Sequence, residues 1–524
     1  MYRVFMLYEV NPTTWFYISS LLIIGIFFKF RRVWSIRNLD LMMLLFLAPG
    51  MLMVANGFEY RGYCTLFVVS FLLLLRMVCD PFLVRRPLLE VNLSRSGMTF
   101  SCIALLFFLI AGLTLTQWRA PGSPQTATVQ QLLRQKHIQR ILLEEEQNSV
   151  RDSSPNSLTR EEFRQESEGK DQAGIPYKPM ITHGPGVPFF TEFINFPLKY
   201  LIEKTRQQYL SDRELSPAGA GSLQSAVGMN LSQGSEFQLP AGQTKRIPGF
   251  PILNSENKSF TFQILATHTV AILGQIAIIL GIIFIGSVHF ENMGTGIAAA
   301  TLYLLLPYSA QIPARLDHIV PAALLVWAVF CYRLPSFAGV LIGFAAALAY
   351  YPIFLIPLWC GFYWSRGLLR FMTVSLATFV ILIALAIFMV GGIEMFWHQL
   401  EETFSFAGVM SRNAGGFWNQ DNNNLFFRIP VISLYVILAT VLAFWPSQKN
   451  FGTLMSSSAA LMIGCQFCHP FEGGLYMAWY LPLLILVIFR PNLEDRIAIR
   501  ALMKRGAFHS AVQADPSASV AGGE

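Results

Sequence analysis

Charged side chains are scarce in this chain: 13% of 524 residues, where a soluble domain carries about 25%. That shortage excludes an ordinary globular protein with a solvated surface, and the mean hydropathy of +0.48 points to an integral membrane protein. Cysteine is also sparse. The seven are Cys64, Cys79, Cys102, Cys331, Cys360, Cys465 and Cys468, and none falls between residues 118 and 262. A disulfide scaffold in that stretch is therefore excluded. A cleavable leader is not expected: one basic residue, Arg3, precedes the first apolar stretch, the positive cluster follows it, and no small-residue cleavage site is present. The first stretch should stay as an anchor. No internal repeat is recognisable.

What the chain does have is apolar runs long enough to span a bilayer, for which about 20 mostly apolar residues are needed. They lie at 14–30, 40–56, 64–82, 99–117, 261–287, 293–311, 318–333, 371–390, 429–445, 453–469 and 474–490. The run 337–364 is too long for one span and contains Pro352 and Pro357, so it reads as two short helices meeting at Tyr350-Tyr351-Pro352. The sum is about thirteen spans, an all-α polytopic membrane protein. Lys and Arg follow the first span (Lys29, Arg31, Arg32, Arg37), the third (Arg85, Arg86, Arg95) and the last (Arg490, Arg496, Arg500, Lys504, Arg505), and Arg366 and Arg370 precede the run at 371. All of these fall on one side if the N-terminus is outside and the C-terminus cytoplasmic. This bias explains the net charge of +7 and removes any need for a nucleic-acid partner. A bacterial inner membrane is the setting that fits.

Four units follow. Residues 1–98 hold three closely spaced spans. Residues 99–262 are one span and a large extracytoplasmic loop. Residues 263–490 are the remaining spans, and 491–524 form a cytoplasmic tail whose Ala/Ser/Gly-rich end should be partly disordered. The large loop is nearly neutral, with 16 basic and 15 acidic residues in 118–262. Within it, Val129, Leu132, Leu133, Ile138, Ile141, Leu142 and Leu143 recur at helical spacing among charges, which predicts an amphipathic helix lying along the membrane. Ile175 to Phe190 is too rich in Pro and Gly for a helix. Thr191 to Tyr209 returns to helical spacing.

A span, an amphipathic helix, a Pro-rich turn, a second helix and a return span form an order that resembles the first external loop of GT-C glycosyltransferases, in the branch of protein mannosyltransferases and lipid A aminoarabinose transferases. Tyr177-Lys178-Pro179 and His183-Gly184-Pro185-Gly186-Val187-Pro188 stand where that branch has its Pro-rich turn. Thr295 to Pro307 with Arg315-Leu316-Asp317, Phe337 to Pro352, and His469-Pro470 with Ala478-Trp479-Tyr480-Leu481-Pro482 resemble its later spans. The likeness covers 99–490 and implies transfer of a sugar from a polyprenyl-phosphate donor to an acceptor outside the cytoplasm. The departure is at Trp118 to Thr126, where the family has a catalytic acid and this chain has no Asp or Glu; Gln125 cannot replace a general base.

Candidates for the missing role are few. Asp317 stands beside His318 at a span mouth, where an ionisable group is either functional or paired, here with Arg315. His183 and Glu192 lie where the family places substrate contacts. Glu59 and Arg61 read as a structural pair. For substrate binding the candidates are Lys178, Trp479 and the second outer loop, where Arg412, Trp418, Asp421 and Arg428 combine an aromatic face, a carboxylate and two guanidinium groups. That set suits a phosphosugar; it equally describes an Asn-rich turn with interfacial aromatics.

No spaced set of acids and histidines marks a metal site, although a divalent cation is compatible with the family. Cys465-Gln466-Phe467-Cys468-His469 matches a c-type haem attachment pattern, but its apolar flanks favour two packed thiols and an interfacial histidine. The rival class is a transporter or flippase, which favours repeats and charges at mid-membrane. Asp40, Arg76 and Asp80 fall near span ends instead. A catalytically degenerate GT-C homologue is the third reading.

Overall fold

A computed structural model describes residues 12–82, 91–115, 258–311, 316–364, 367–390, 416–418, 427–446, 449–469 and 473–491. Among them there is helix and turn and no strand. The helices are α1 Pro12–Phe27, α2 Ile36–Ala55, α3 Glu59–Val78, α4 Arg95–Leu115, α5 Lys258–Phe284, α6 Met293–Leu305, α7 Pro307–Gln311, α8 Leu316–Phe330, α9 Pro335–Leu348, α10 Leu355–Tyr363, α11 Leu368–Val390, α12 Arg428–Phe444, α13 Phe451–Cys468 and α14 Leu481–Phe489. Contacts divide the chain into two compact units, Met1–Ala120 with Pro179–Val187 and Ala271–Glu524, and Pro121–Lys178 with Pro188–Val270. The packing described below belongs to the first. The amphipathic helices expected in the large loop lie outside the described residues.

Six helices are long and apolar enough to cross a bilayer alone, at 36–54, 59–78, 95–113, 269–289, 368–385 and 451–468, and six shorter apolar helices of 10–17 residues accompany them. The protein is a multi-pass, helical membrane protein. The helices lie on the apolar runs of the sequence because a backbone in lipid must satisfy its own polar groups.

Their ends follow local rules. Ser35, Asn292 and Asn450 cap α2, α6 and α13 by accepting from the amides of Asn38, Thr295 and Thr453 at 3.2, 3.0 and 2.8 Å. α6 stops because Leu306, which precedes Pro307, is driven extended (φ −61°, ψ 134°). The run 337–364 does break where the prolines predict. Ala349 leaves the helix at φ −137°, ψ 141°, a single turn Tyr351–Phe354 contains Pro352, and α10 resumes at Leu355.

Close packing depends on small residues. α5 ends in a π-helical turn, Ile285–His289, where a Cβ on Gly286 would collide with the backbone of Gly296 on α6. On α9, a Cβ on Gly339 would sit 2.8 Å from the carbonyl of Phe371, and one on Gly343 would overlap that of Ser375, both on α11. α13 is the centre, with 89% of residues 451–468 buried, although it carries Thr453, Ser456, Ser457, Ser458 and Gln466. α11 is peripheral at 11%.

Contacts assign the helix ends to two groups. In one, Asn92 before α4 donates to the carbonyls of Gly25 and Phe28 at the end of α1, both at 3.0 Å. His289 after α5 meets the rings of Tyr332 after α8 and Phe451 at the start of α13. The same end holds a buried ion network. Arg76 of α3 binds Asp40 of α2 through Nε (2.7 Å) and Nη2 (3.1 Å) and Asp80 through Nη1 (2.9 Å), while Arg490 after α14 binds the other oxygen of Asp80 at 2.5 Å. Two positive and two negative charges close on one another, and Asp80 and Asp40 are 0% and 1% exposed. At the other group of ends the described residues include a cluster of buried rings.

Candidate functional site

The second group of ends gathers three connections: between α6 and α8, between α9 and α10, and between α13 and α14. Each connection delivers a tyrosine, tryptophan or histidine. Because Pro307 ends α6 and starts the short α7, Tyr308 is turned toward α8. Its hydroxyl lies 2.5 Å from Nδ1 of His318, and the two rings are parallel within 9°. Either atom can donate, according to the tautomer of the imidazole.

His318 in turn touches Tyr476 (ring centroids 4.8 Å) and Trp479 (6.2 Å). Tyr351 stacks on Trp479 at 3.6 Å, and Tyr476 stacks on it at 4.5 Å. A second imidazole, His469, follows the last residue of α13. It lies 4.5 Å from Tyr476, 5.8 Å from Trp479 and parallel to Tyr350 at 6.0 Å. The segment that carries Tyr476 is tied to α13 by Gln466 Nε2, which donates to the Tyr476 carbonyl at 2.8 Å. Tyr308, His318, Tyr351, His469, Tyr476 and Trp479 are all buried to within 2%. The result is two imidazoles, the only side chains whose ordinary titration falls near neutrality, held inside an aromatic shell.

A small cleft reaches this shell. Leu44, Leu47, Ala48 and Met51 of α2 form one wall, and Leu306, Pro307, Met477 and Leu481 the other; Tyr308 is the polar residue among its lining. Among the described residues no group of three His, Cys, Asp or Glu side chains could hold a metal ion. Cys465 is buried, and Cys468, half-buried, approaches the Val431 carbonyl at 3.8 Å.

Three of the residues expected to bind substrate are in view. Trp479 lies in the aromatic shell. Trp418 and Arg428 sit on the last turn of α13 instead. The indole Nε1 donates to the carbonyl of Phe467, and Arg428 Nε to that of Cys468, both at 2.9 Å. A guanidinium at a helix C-terminus satisfies carbonyls that the helix leaves open and complements its dipole. Phe417 beside Trp418 stacks on Phe67 at 4.2 Å. Asp317 is the second residue of α8, with its side chain outside the described part. Lys178, His183, Glu192, Arg412 and Asp421 also lie outside it.

Sequence reasoning passed over Tyr308 and Tyr476, and named His469 only in the haem pattern and the family resemblance. Each stands at a span mouth next to an apolar run, where the ordinary membrane-interface belt also places aromatics, so composition alone does not separate them. The proline beside each break (Pro307, Pro352, Pro470, Pro482) was the available signal. Compared with protein-family models, with curated proteins and with solved structures, the chain matches none.

Proposed function

We propose that this chain is a GT-C-like membrane glycosyltransferase that moves a sugar from a polyprenyl-phosphate donor to an acceptor outside the cytoplasm. In this reading it makes about thirteen passes, with the Arg76–Asp80–Arg490 end cytoplasmic and the Tyr308–His318 end outward. One observation carries the proposal. The family's first-loop acid is missing from Trp118 to Thr126, and the end of the bundle where transfer would occur buries an imidazole, His318, in a hydrogen bond to a phenol. A neutral imidazole is a competent general base near pH 7, so the reaction has a base without that acid. Charge distribution agrees, since Lys and Arg crowd the loops at the ion-network end.

The test is donor consumption. Purified protein in nanodiscs would be given radiolabelled polyprenyl-phosphate hexoses and aminosugars, with His318→Gln and Asp317→Asn alongside. The wild type should consume at least one donor, and His318→Gln should lose about 100-fold or more. A folded wild type that consumes none of them overturns the proposal.

A second reading has its own support. Short helices broken at Leu306, at Ala349 and before Leu481 meet at one cluster, and discontinuous helices are a mark of transporters. Vesicles showing movement of an intact lipid-linked sugar, with no bond broken, would favour that reading.

A further inference from the structure

We propose that the turn between α1 and α2, residues 29–35, is a preformed anchor for anionic phospholipids. Arg31 takes the headgroup phosphate, and Phe30 and Trp34 enter the boundary between headgroups and acyl chains. The proposal stands apart from the transfer reading above and does not depend on it.

The turn is braced from within. Asn38, on the first turn of α2 and 1% exposed, accepts from the Lys29 amide at 3.0 Å and donates to the Lys29 and Val33 carbonyls at 2.9 and 3.1 Å. Asn92 holds the end of α1 through the Gly25 and Phe28 carbonyls, and the Ser35 hydroxyl caps α2. These bonds fix the backbone and leave the side chains outside. Trp34 is 98% exposed, Phe30 65% and Val33 54%, and Arg31 is exposed beside them. An indole this open gains nothing from the fold. At a bilayer it does gain, because tryptophan settles at the level of the headgroups, and the turn follows directly on the apolar helix α1, which ends at Phe27.

The charge of the turn has one sign. Between residues 10 and 39 the chain has Lys29, Arg31, Arg32 and Arg37 and no Asp or Glu. The next acid, Asp40, is 1% exposed and bound by Arg76. Among the described residues the ion pairs join Asp40 and Asp80 to Arg76 and Arg490, and Arg31 is in none of them. A guanidinium offers phosphate oxygens two parallel N–H donors. Since the turn is already ordered, holding a headgroup costs little further backbone entropy. Each basic residue near an anionic leaflet strengthens the attraction by about fivefold. A second copy of this chain fits the turn less well, because two such turns face to face would set like charges against each other.

The test uses the full chain in nanodiscs of phosphatidylcholine and phosphatidylglycerol, with one lipid or the other brominated high on its acyl chains. Bromine quenches a neighbouring indole, and subtracting the Trp34→Phe protein isolates Trp34 among the ten tryptophans. At equal mole fractions, phosphatidylglycerol should be favoured at Trp34 over phosphatidylcholine by about fivefold or more. Arg31→Gln, a change on the exposed face that leaves the fold alone, should lower this preference by about fivefold. Asn38→Ala keeps every charge but loosens the turn, and should weaken the preference too. Equal quenching by the two lipids, or a preference untouched by Arg31→Gln, overturns the proposal. A preference unchanged in Asn38→Ala overturns the claim that the anchor is preformed. Loss of the preference to millimolar inorganic phosphate at constant ionic strength shows a free-anion site and overturns the lipid assignment. Protection of Trp34 from both brominated lipids, with crosslinked dimers, places a second copy on the turn and overturns it as well.

Discussion

The sharpest stability prediction concerns Asp80. Its carboxylate bridges Arg76 at 2.9 Å and Arg490 at 2.5 Å, across 410 residues of chain in the second case. Removing it in Asp80→Ala does not strand both cations. Arg76 keeps two hydrogen bonds to Asp40, at 2.7 and 3.1 Å. Arg490, with its side chain 7% exposed, loses its carboxylate while buried. Breaking a buried pair from one side costs about 3–5 kcal/mol. Arg490→Met should cost less, because Asp80 still has Arg76. The double variant should then be less destabilised than the sum of the two by about 1–3 kcal/mol. Replacing all four members by apolar residues of similar size should be near neutral, since the network contributes position more than stability. Equilibrium unfolding in mixed SDS micelles, followed by the fluorescence of the ten tryptophans, measures all of these. If Asp80→Ala unfolds within about 0.5 kcal/mol of the wild type, or the double variant is additive, the network does not join the early helices to the segment after α14 as described.

Three further outcomes are expected. Gly286→Ala should destabilise by about 1–3 kcal/mol because the new methyl meets the Gly296 backbone, while Gly25→Ala, with nothing within 4 Å, should be neutral or stabilise α1 by up to about 1 kcal/mol; the same unfolding assay reads both. Asn450→Ala should cost about 1 kcal/mol by leaving the Thr453 amide of α13 without its cap, visible as a lower unfolding midpoint. Finally, α3 carries native thiols toward opposite ends, Cys64 half-buried and Cys79 exposed. In intact cells an impermeant maleimide should leave Cys79 unlabelled until the membrane is opened, with the other cysteines replaced; labelling from outside would invert the proposed orientation.

How much of this was legible in the sequence depended on the range of the interaction. Helix positions were legible because each apolar run is a local signal, and the break at Tyr350-Tyr351-Pro352 was legible because proline acts on its own neighbours. The pairing of Arg76 with Asp80 is also local, at four residues on one helix face. Arg490 as the third partner was not, because nothing near it in the chain points to Asp80. The aromatic shell failed for the same reason: His318 and Tyr476 touch from positions far apart in the chain. Arg428 and Trp418 show a different difficulty. An arginine and a tryptophan in a Gly/Asn-rich loop suit a phosphosugar, and they suit the open carbonyls of a helix end just as well. In the structure both reach such carbonyls, those of Cys468 and Phe467, and residue type alone could not have chosen between the two roles.

The contrast between the two ends bears on mechanism. At the Asp80 end, the charges of Arg76, Asp40, Asp80 and Arg490 are buried but neutralise one another within hydrogen-bond distance. At the His318 end, the buried polar groups of the aromatic shell are imidazoles, phenols and an indole, which are neutral in their ordinary states, and the buried Arg428 nearby is held by a helix-end carbonyl. A bundle that carried out proton transfer at the first end would have to break an ion pair in each cycle. One that did so at the second would use the hydrogen bond already present between Tyr308 and His318. This asymmetry, with the missing first-loop acid, is why the proposed chemistry belongs with the rings. It also makes a concrete demand: Asp80→Asn should change unfolding and leave the pH–rate profile unmoved, whereas His318→Asn should move the profile. If Asp80→Asn shifts the profile while His318→Asn does not, the assignment of the two ends is wrong.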